Sequence, residues 1–185
     1  MFTVPLSIEP QLELQVVRSL NAAIVTISFI ENTTRAYRVI GGIRDLPKVF
    51  AVVQKDLPLV GEMMQSIKGK LPQEEDPEIR KTIMLCQQHA LSLWQVFQKL
   101  EFWFGQDRDV KEWDMFEVYY VKSLDGLTTL RVEYMMGLVL EYLNKLAAME
   151  IFGLAARVDR IAETIEELKN VAPSVEESEL KTSGR

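Results

Sequence analysis

Between Ile79 and Phe104, a walk of alternating four- and three-residue steps lands on Ile79, Ile83, Cys86, Ala90, Leu93, Phe97, Leu100 and Phe104 and never meets a charge. Side chains on a strand alternate every second residue, so only a helix brings these eight onto one line. A line of about seven turns must then be covered by other elements along its whole length. The same step pattern recurs through the chain. It lands on Val16, Leu20, Ala23, Ile27, Ile30, Thr34 and Tyr37; on Leu46, Phe50, Val53, Leu57, Val60, Met64 and Ile67; and on Ile151, Leu154, Val158, Ile161, Ile165 and Leu168. Two further stretches carry Trp113, Phe116, Tyr120 and Leu124, then Val132, Met136, Val139, Leu143 and Leu146. In the latter, MMGLVL at 135–140 is apolar all round, which predicts a helix enclosed by others. No segment alternates as a strand does. The expectation is an all-α fold, a bundle of about five to seven helices.

The breaks between seams have their own chemistry. Gly41-Gly42 is suited to end the first helix in a left-handed turn. The polar loop KGKLPQEEDPE at 68–78 ends in Asp76 as a cap, Pro77 at the first helical position and Glu78 facing the helix dipole. Asp109 and Glu112 have capping-box spacing, and Asp125-Gly126 predicts a bend before the next helix. The triplet Asp-Leu-Pro occurs twice, at 45–47 and 56–58. In the first copy Asp45 is expected to cap and Pro47 to lie in the first turn. In the second, Pro58 falls inside a seam that keeps step on both sides of it, which predicts a kinked helix with Asp56 capping the donors the kink releases. Past Asn170 no period remains; the expected organisation is one helical domain over 1–171 and a flexible acidic tail over 172–185.

Composition excludes several functions. The net charge is −6, and residues 159–181 hold seven acids against Arg160, Lys169 and Lys181. No basic stripe for nucleic acid is present. The start MFTVPLSIEPQLELQ lacks the basic and long apolar regions of a signal peptide. The charge-free run Ser19–Ile30 is shorter than the ~20 residues a spanning helix needs, and Thr82–Gln98 carries four glutamines. A single cysteine suits a reducing compartment, so the expected location is cytoplasmic. Cys86 and His89 stand at metal-ligand spacing on one helix, but they are the only residues of their kinds, and a structural zinc takes four ligands. The same scarcity removes nucleophile–histidine triads, and no phosphate-binding loop occurs. Glu74-Glu75-Asp76 reads as a capping run, and Asn32-Thr33-Thr34 is a sequon a cytoplasmic helix would not expose to glycosylation. No catalytic, cofactor or metal site is expected.

One cluster invites a functional reading. Trp94, Phe97, Phe102, Trp103 and Phe104 are core rings in the ordinary case, but Phe102, Trp103 and Phe104 at a helix end could instead form an exposed surface for a protein partner or a membrane.

The stretch IRDLPKVFAVVQKDLPLVGEMMQSIKG, 43–69, resembles the signature of the fungal SesA-type domain, found at the N-terminus of NACHT and other P-loop NTPases of the NLR-like kind. There a run of the form GLP-x-x-F-x-x-V-x-x-x-LPLV follows a long first helix; Leu46, Pro47, Phe50, Val53, Leu57, Pro58, Leu59 and Val60 occupy the matching positions. Residues 157–177 are similar to the family's closing helix and Pro-Ser exit. The resemblance implies a HeLo-like bundle without catalytic residues, a signalling or oligomerisation module in programmed cell death, heterokaryon incompatibility or defence. Its partners would be copies of itself or an NLR-like NTPase protein. The alternative it implies is a membrane-permeabilising executioner; the nearest apolar counterpart, LNAAIVTISFI at 20–30, lies behind Pro5, Glu9, Pro10 and Glu13, and the acidic surface opposes anionic lipid.

The proline reading has a direct check. Pro58→Ala is expected to straighten the second helix, and a variant structure with an unchanged helix axis would sink it.

Overall fold

The computed structural model describes residues 9–107, 109–125 and 127–182, with side chains from Arg18 to Leu180. In chain order the helices are α1 (Glu9–Ile40), α2 (Lys48–Gly69), α3 (Pro77–Gln106), α4 (Trp113–Ser123), α5 (Val132–Ala147), α6 (Val158–Asn170) and α7 (Glu177–Thr182). Short 3-10 turns at Thr128–Leu130, Glu150–Phe152 and Ala155–Arg157 join the later ones. No strand occurs among the described residues, as the all-α reading requires. Val16's side chain, Gly126 and residues 183–185 lie outside that description.

The most extensive pairing is α1 with α3. The contacts Ser19–Glu75, Phe29–Trp94 and Tyr37–Phe97 advance together along both helices, so the two run in the same direction. α2 carries the chain back: antiparallel to α1, it brings Gly61 within van der Waals reach of Ile30. α5 packs on α3 and α2, and α6 lies against α2 and α5. Ion pairs Glu62–Arg157 and Lys55–Glu167 show that α6 runs antiparallel to α2. The seams face inward as their period demands. In α2, Phe50, Val53, Leu57, Val60, Met64 and Ile67 are buried on both sides of Pro58; in α3, so are all seam residues from Ile79 to Leu100. Met135, Met136, Val139 and Leu140 of α5 are buried under three neighbouring helices.

Several boundaries differ from the sequence reading, each for an identifiable reason. Asp76 does cap α3: its Oδ1 accepts from the backbone N–H of Glu78 at 2.8 Å and of Ile79 at 3.3 Å. Glu75 beside it takes Ser19 Oγ and Arg80, so the acidic run is structural. α1 does end at Gly41-Gly42, but neither glycine is left-handed; Gly41 lies close to Tyr37, and a Cβ there would stand 3.2 Å from the ring and from the carbonyl oxygen. The left-handed residue is Asp45, with φ of 60°, and it caps nothing; Pro47 immediately precedes α2. The 109–112 capping box does not form, because α4 starts at Trp113 and the chain before it is held by another interaction. Arg44 N–H donates to the Lys111 carbonyl at 2.8 Å and Trp113 N–H to the Arg44 carbonyl at 2.9 Å. The Arg44–Glu112 ion pair at 2.8 Å lies over this bridge. The last seam fails over its first half: Gly153 (φ 62°) breaks the chain between two 3-10 turns, Ile151 is left exposed, and α6 begins only at Val158.

Within 172–185, expected to be a flexible tail, Ser174, Val175 and Leu180 are buried. Tyr120 Oη and Ser174 Oγ are 2.6 Å apart in a buried hydrogen bond, and Ser174 N–H donates to Glu133 Oε1 at 3.0 Å. Glu179 on α7 hydrogen-bonds Glu117 on α4; burial first, and that neighbouring carboxylate next, push Glu117 up to about 7. Sequence period could not reveal this strap, because its anchors are single residues in a non-helical run and one short helix.

Asp56 does not cap the proline site either. Pro58 lacks an N–H, so the group deprived of its partner is the carbonyl four residues earlier, an acceptor that a carboxylate cannot serve. Asp56 is instead 3 % exposed with Oδ2 unpartnered, while the adjacent Lys55 reaches out to Glu167 at 2.7 Å. Burial raises its carboxyl to about 6. The folded chain therefore holds this proton more tightly than the unfolded chain, and stability falls as pH rises from about 4 to about 6. Asp56→Asn is expected to remove that decline and to raise stability at pH 7.5 by about 1–2 kcal/mol. Urea unfolding at pH 4.5 and 7.5 checks it; equal pH responses in variant and wild type would refute the assignment.

Candidate functional site

The residues carrying the sequence resemblance point inward. Phe50, Val53, Leu57, Leu59 and Val60 are buried, Leu46 and Pro47 half-buried, and only Pro58 lies at the surface. Phe50 is fully buried among three rings, with centroids 6.3 Å from Phe97, 5.3 Å from Trp113 and 5.3 Å from Tyr120. These residues hold α2 against α3 and α4 and offer little surface for a partner.

Cys86 and His89 are not brought to one site. Cys86 is fully buried with Sγ 3.8 Å from the Val139 carbonyl, and burial pushes its thiol up to about 12. His89 is half-buried and stacks on Tyr142 at 5.6 Å, which lowers its pKa through loss of solvent. Among the described residues no group of three or more His, Cys, Asp or Glu could hold a metal ion.

The three rings at the end of α3 diverge. Phe104 turns inward against Phe116 at 6.2 Å, Trp103 is half-buried and stacked on Tyr119 at 5.1 Å, and Phe102 stands 57 % exposed with its edge on Trp103. Trp94 is accounted for by stacking on Phe29 at 5.5 Å, and Phe97 lies in the core. Phe104 therefore leaves the expected surface, and residues of α4 take its place. Met115, Val118, Tyr119 and Lys122 share the outer face of that helix by their spacing, opposite the buried Trp113, Phe116 and Tyr120. Met115 is 58 % and Val118 54 % exposed. Tyr119 is fixed by donating its hydroxyl to Asp107 Oδ2 at 2.9 Å, and Lys122 Nζ lies 6.0 Å from the Trp103 ring centre. Beside them Gln98, Lys99, Phe102, Trp103, Lys122 and Asp125 line a hollow of about 480 Å³.

The result is a ridge of two aromatic rings, a third ring on its flank, a methionine and a valine, edged by lysines. Large exposed apolar side chains in a continuous group mark association surfaces, and aromatic and methionine residues are enriched there. The α4 contribution was missed in sequence because attention to the 113–116–120–124 seam hides the second apolar line at 115, 118 and 119. A helix apolar on two faces was the available signal.

A family model named SesA, described as an N-terminal domain on NACHT_NTPase and P-loop NTPases, matches residues 24–146. The match runs from within α1 to the last turn of α5, so it includes Phe50 and the ridge; residues 157–177, whose sequence resembles the family's closing helix, fall outside it. No curated protein and no solved structure matches the chain.

The division of labour among the rings can be measured. Phe97→Ala is expected to cost about 3–5 kcal/mol, whereas Phe102→Ala should change unfolding free energy by less than about 0.5 kcal/mol. Equal costs in denaturant titrations would mean that Phe102 is a core residue.

Proposed function

The chain belongs to the SesA family of N-terminal domains on NACHT and P-loop NTPases, and from that premise we propose that it is a non-enzymatic signalling domain of an NLR-like system that acts by protein–protein association. The observation that carries the reading is the ridge within the family match on which Phe102, Met115 and Val118 stand exposed around the half-buried rings of Trp103 and Tyr119. Association on such a ridge draws its energy from burying a few large rings, and the flanking Lys99 and Lys122 set orientation. The partners are further copies of the domain or an NLR-like NTPase protein, in the cytoplasm, and the outcome is programmed cell death, incompatibility or defence of the fungal type. Cys86 and His89, the two residues best suited to covalent or acid–base chemistry, are engaged in packing, which supports a role without catalysis.

The membrane-permeabilising alternative draws on 20–30, and those residues are spent elsewhere. Ala22, Ala23, Thr26, Ile27 and Ile30 are buried in the bundle, leaving Ile24 as the exposed large apolar side chain of the stretch. Among the described residues, no helix is long and apolar enough to cross a membrane.

Light scattering on the purified chain, together with pull-down of NACHT-type NTPase proteins from the source cells, tests the proposal. The wild type is expected to associate, and Phe102→Ala combined with Met115→Ser to weaken association at least about tenfold, a loss of ~1.4 kcal/mol. Unchanged association in the double variant would overturn the ridge. Dye release from anionic liposomes by the wild type would put the permeabilising reading first.

A further inference from the structure

The strap formed by residues 171–182 is pinned at Ser174. Ser174 is 3 % exposed; its Oγ lies 2.6 Å from Tyr120 Oη, and its N–H donates to Glu133 Oε1 at 3.0 Å. Around this pin, Arg131 donates to the Val175 carbonyl at 3.2 Å, and Val175 and Leu180 fill apolar sockets. Other residues of the strap are on the surface: Ala172, Pro173, Glu176 and Glu177 are exposed. The groups that hold Ser174 and Val175 lie on α4 (Tyr120), on α5 (Glu133) and in the turn between them (Arg131), so this part of the strap can lift without separating α1, α2 and α3. Segments held by few buried contacts open in this local way far more often than the whole domain unfolds.

Sequence adds the second observation. Pro173-Ser174-Val175-Glu176-Glu177 places carboxylates two and three residues after the hydroxyl, with Glu179 following. That pattern pairs with the basic groove of an acid-directed serine kinase. We propose that Ser174 is a phosphoacceptor for such a kinase, reached when the strap lifts, and that the phosphoryl group then prevents the strap from closing. In the transfer, Ser174 Oγ attacks the γ-phosphorus of ATP. The new O–P bond forms as the bond to the bridging β-phosphate oxygen breaks, ADP departs with that electron pair, and the hydroxyl proton passes to the kinase's base.

Closure is then blocked for three reasons. The short Tyr120 contact leaves no room for a phosphoryl group. The added charge of about −2 would be taken out of water into a buried position. There it would meet the Glu133 carboxylate, which holds the Ser174 N–H in the closed form. Among the described residues Arg131 is the cation hydrogen-bonded at the pin, with Nε directed to the Thr128 carbonyl and 3.8 Å from Glu133 and Nη1 directed to the Val175 carbonyl; Lys169 lines the adjoining hollow. Modification thus acts as a ratchet that captures the open strap.

The test uses the full chain, an acid-directed Ser/Thr kinase with ATP, mass-spectrometric site mapping and amide hydrogen exchange. Wild type should take up phosphate at Ser174, and Leu180→Ala, which loosens the strap away from the acceptor, should accelerate uptake at least about fivefold. Phosphorylated chain and Ser174→Glu should both exchange residues 174–182 more than tenfold faster, with α3 and α5 protection unchanged, whereas Ser174→Ala should keep the strap protected. Phosphate confined to Ser178, or none at Ser174 in either chain, overturns the acceptor assignment. Strap protection retained or increased in the phosphorylated chain or in Ser174→Glu overturns the ratchet, since it would mean that Arg131 receives the charge.

Discussion

Phe50 is the point on which the bundle turns. Its ring touches Phe97 of α3 and Trp113 and Tyr120 of α4, and Tyr120 in turn directs its hydroxyl to the first backbone N–H of α5 and to Ser174. One side chain on α2 thereby connects two helices directly and two further segments through a single intermediary. Such a centre is apolar on one side and ends in a phenol on the other. The phenol is buried with its hydrogen bonds satisfied, which keeps a polar group in the core from becoming a cost.

The helix content, the inward faces and the burial of Met135, Met136, Val139 and Leu140 were legible because helical period is a local property repeated over many turns. Asp76 was legible for a similar reason: a cap needs only the residues two and three positions ahead. What escaped was set by contacts between distant segments. Asp109 lost its capping role because residues 111–113 pair with Arg44, and the strap was hidden because Ser174 meets Tyr120, 54 positions away. The proline copies were half legible. The seam persists through Pro58, but Asp56 was assigned to donors when proline deprives an acceptor, and its carboxyl is buried with an oxygen unpaired.

Family signature and candidate function occupy different surfaces. The positions from Leu46 to Val60 that make the chain recognisable are devoted to packing, so they fix the shape in which other residues are shown. The ridge is displayed by that shape: α4 is held from within by Trp113, Phe116 and Tyr120, and the opposite face of the same short helix is left to carry Met115, Val118 and Tyr119. Trp103 and Tyr119, stacked at 17° to one another, present a stiff aromatic edge with little side-chain freedom to lose on contact.

The pairing of α1 with α3 has a consequence for synthesis. Because α2 lies between them in sequence, the largest helix interface joins residues about as far apart as Ser19 and Glu75, separated by 56 positions. Loop closure over that span must precede the contacts that reward it, which slows folding relative to a bundle of sequential neighbours. A growing chain that has emerged only as far as Gly69 has α1 and α2 but nothing to lay against the face that receives α3. Until translation delivers the charge-free stretch 82–98, the nascent chain exposes an adhesive surface, and it is in that interval that chaperone capture or aggregation has its opening.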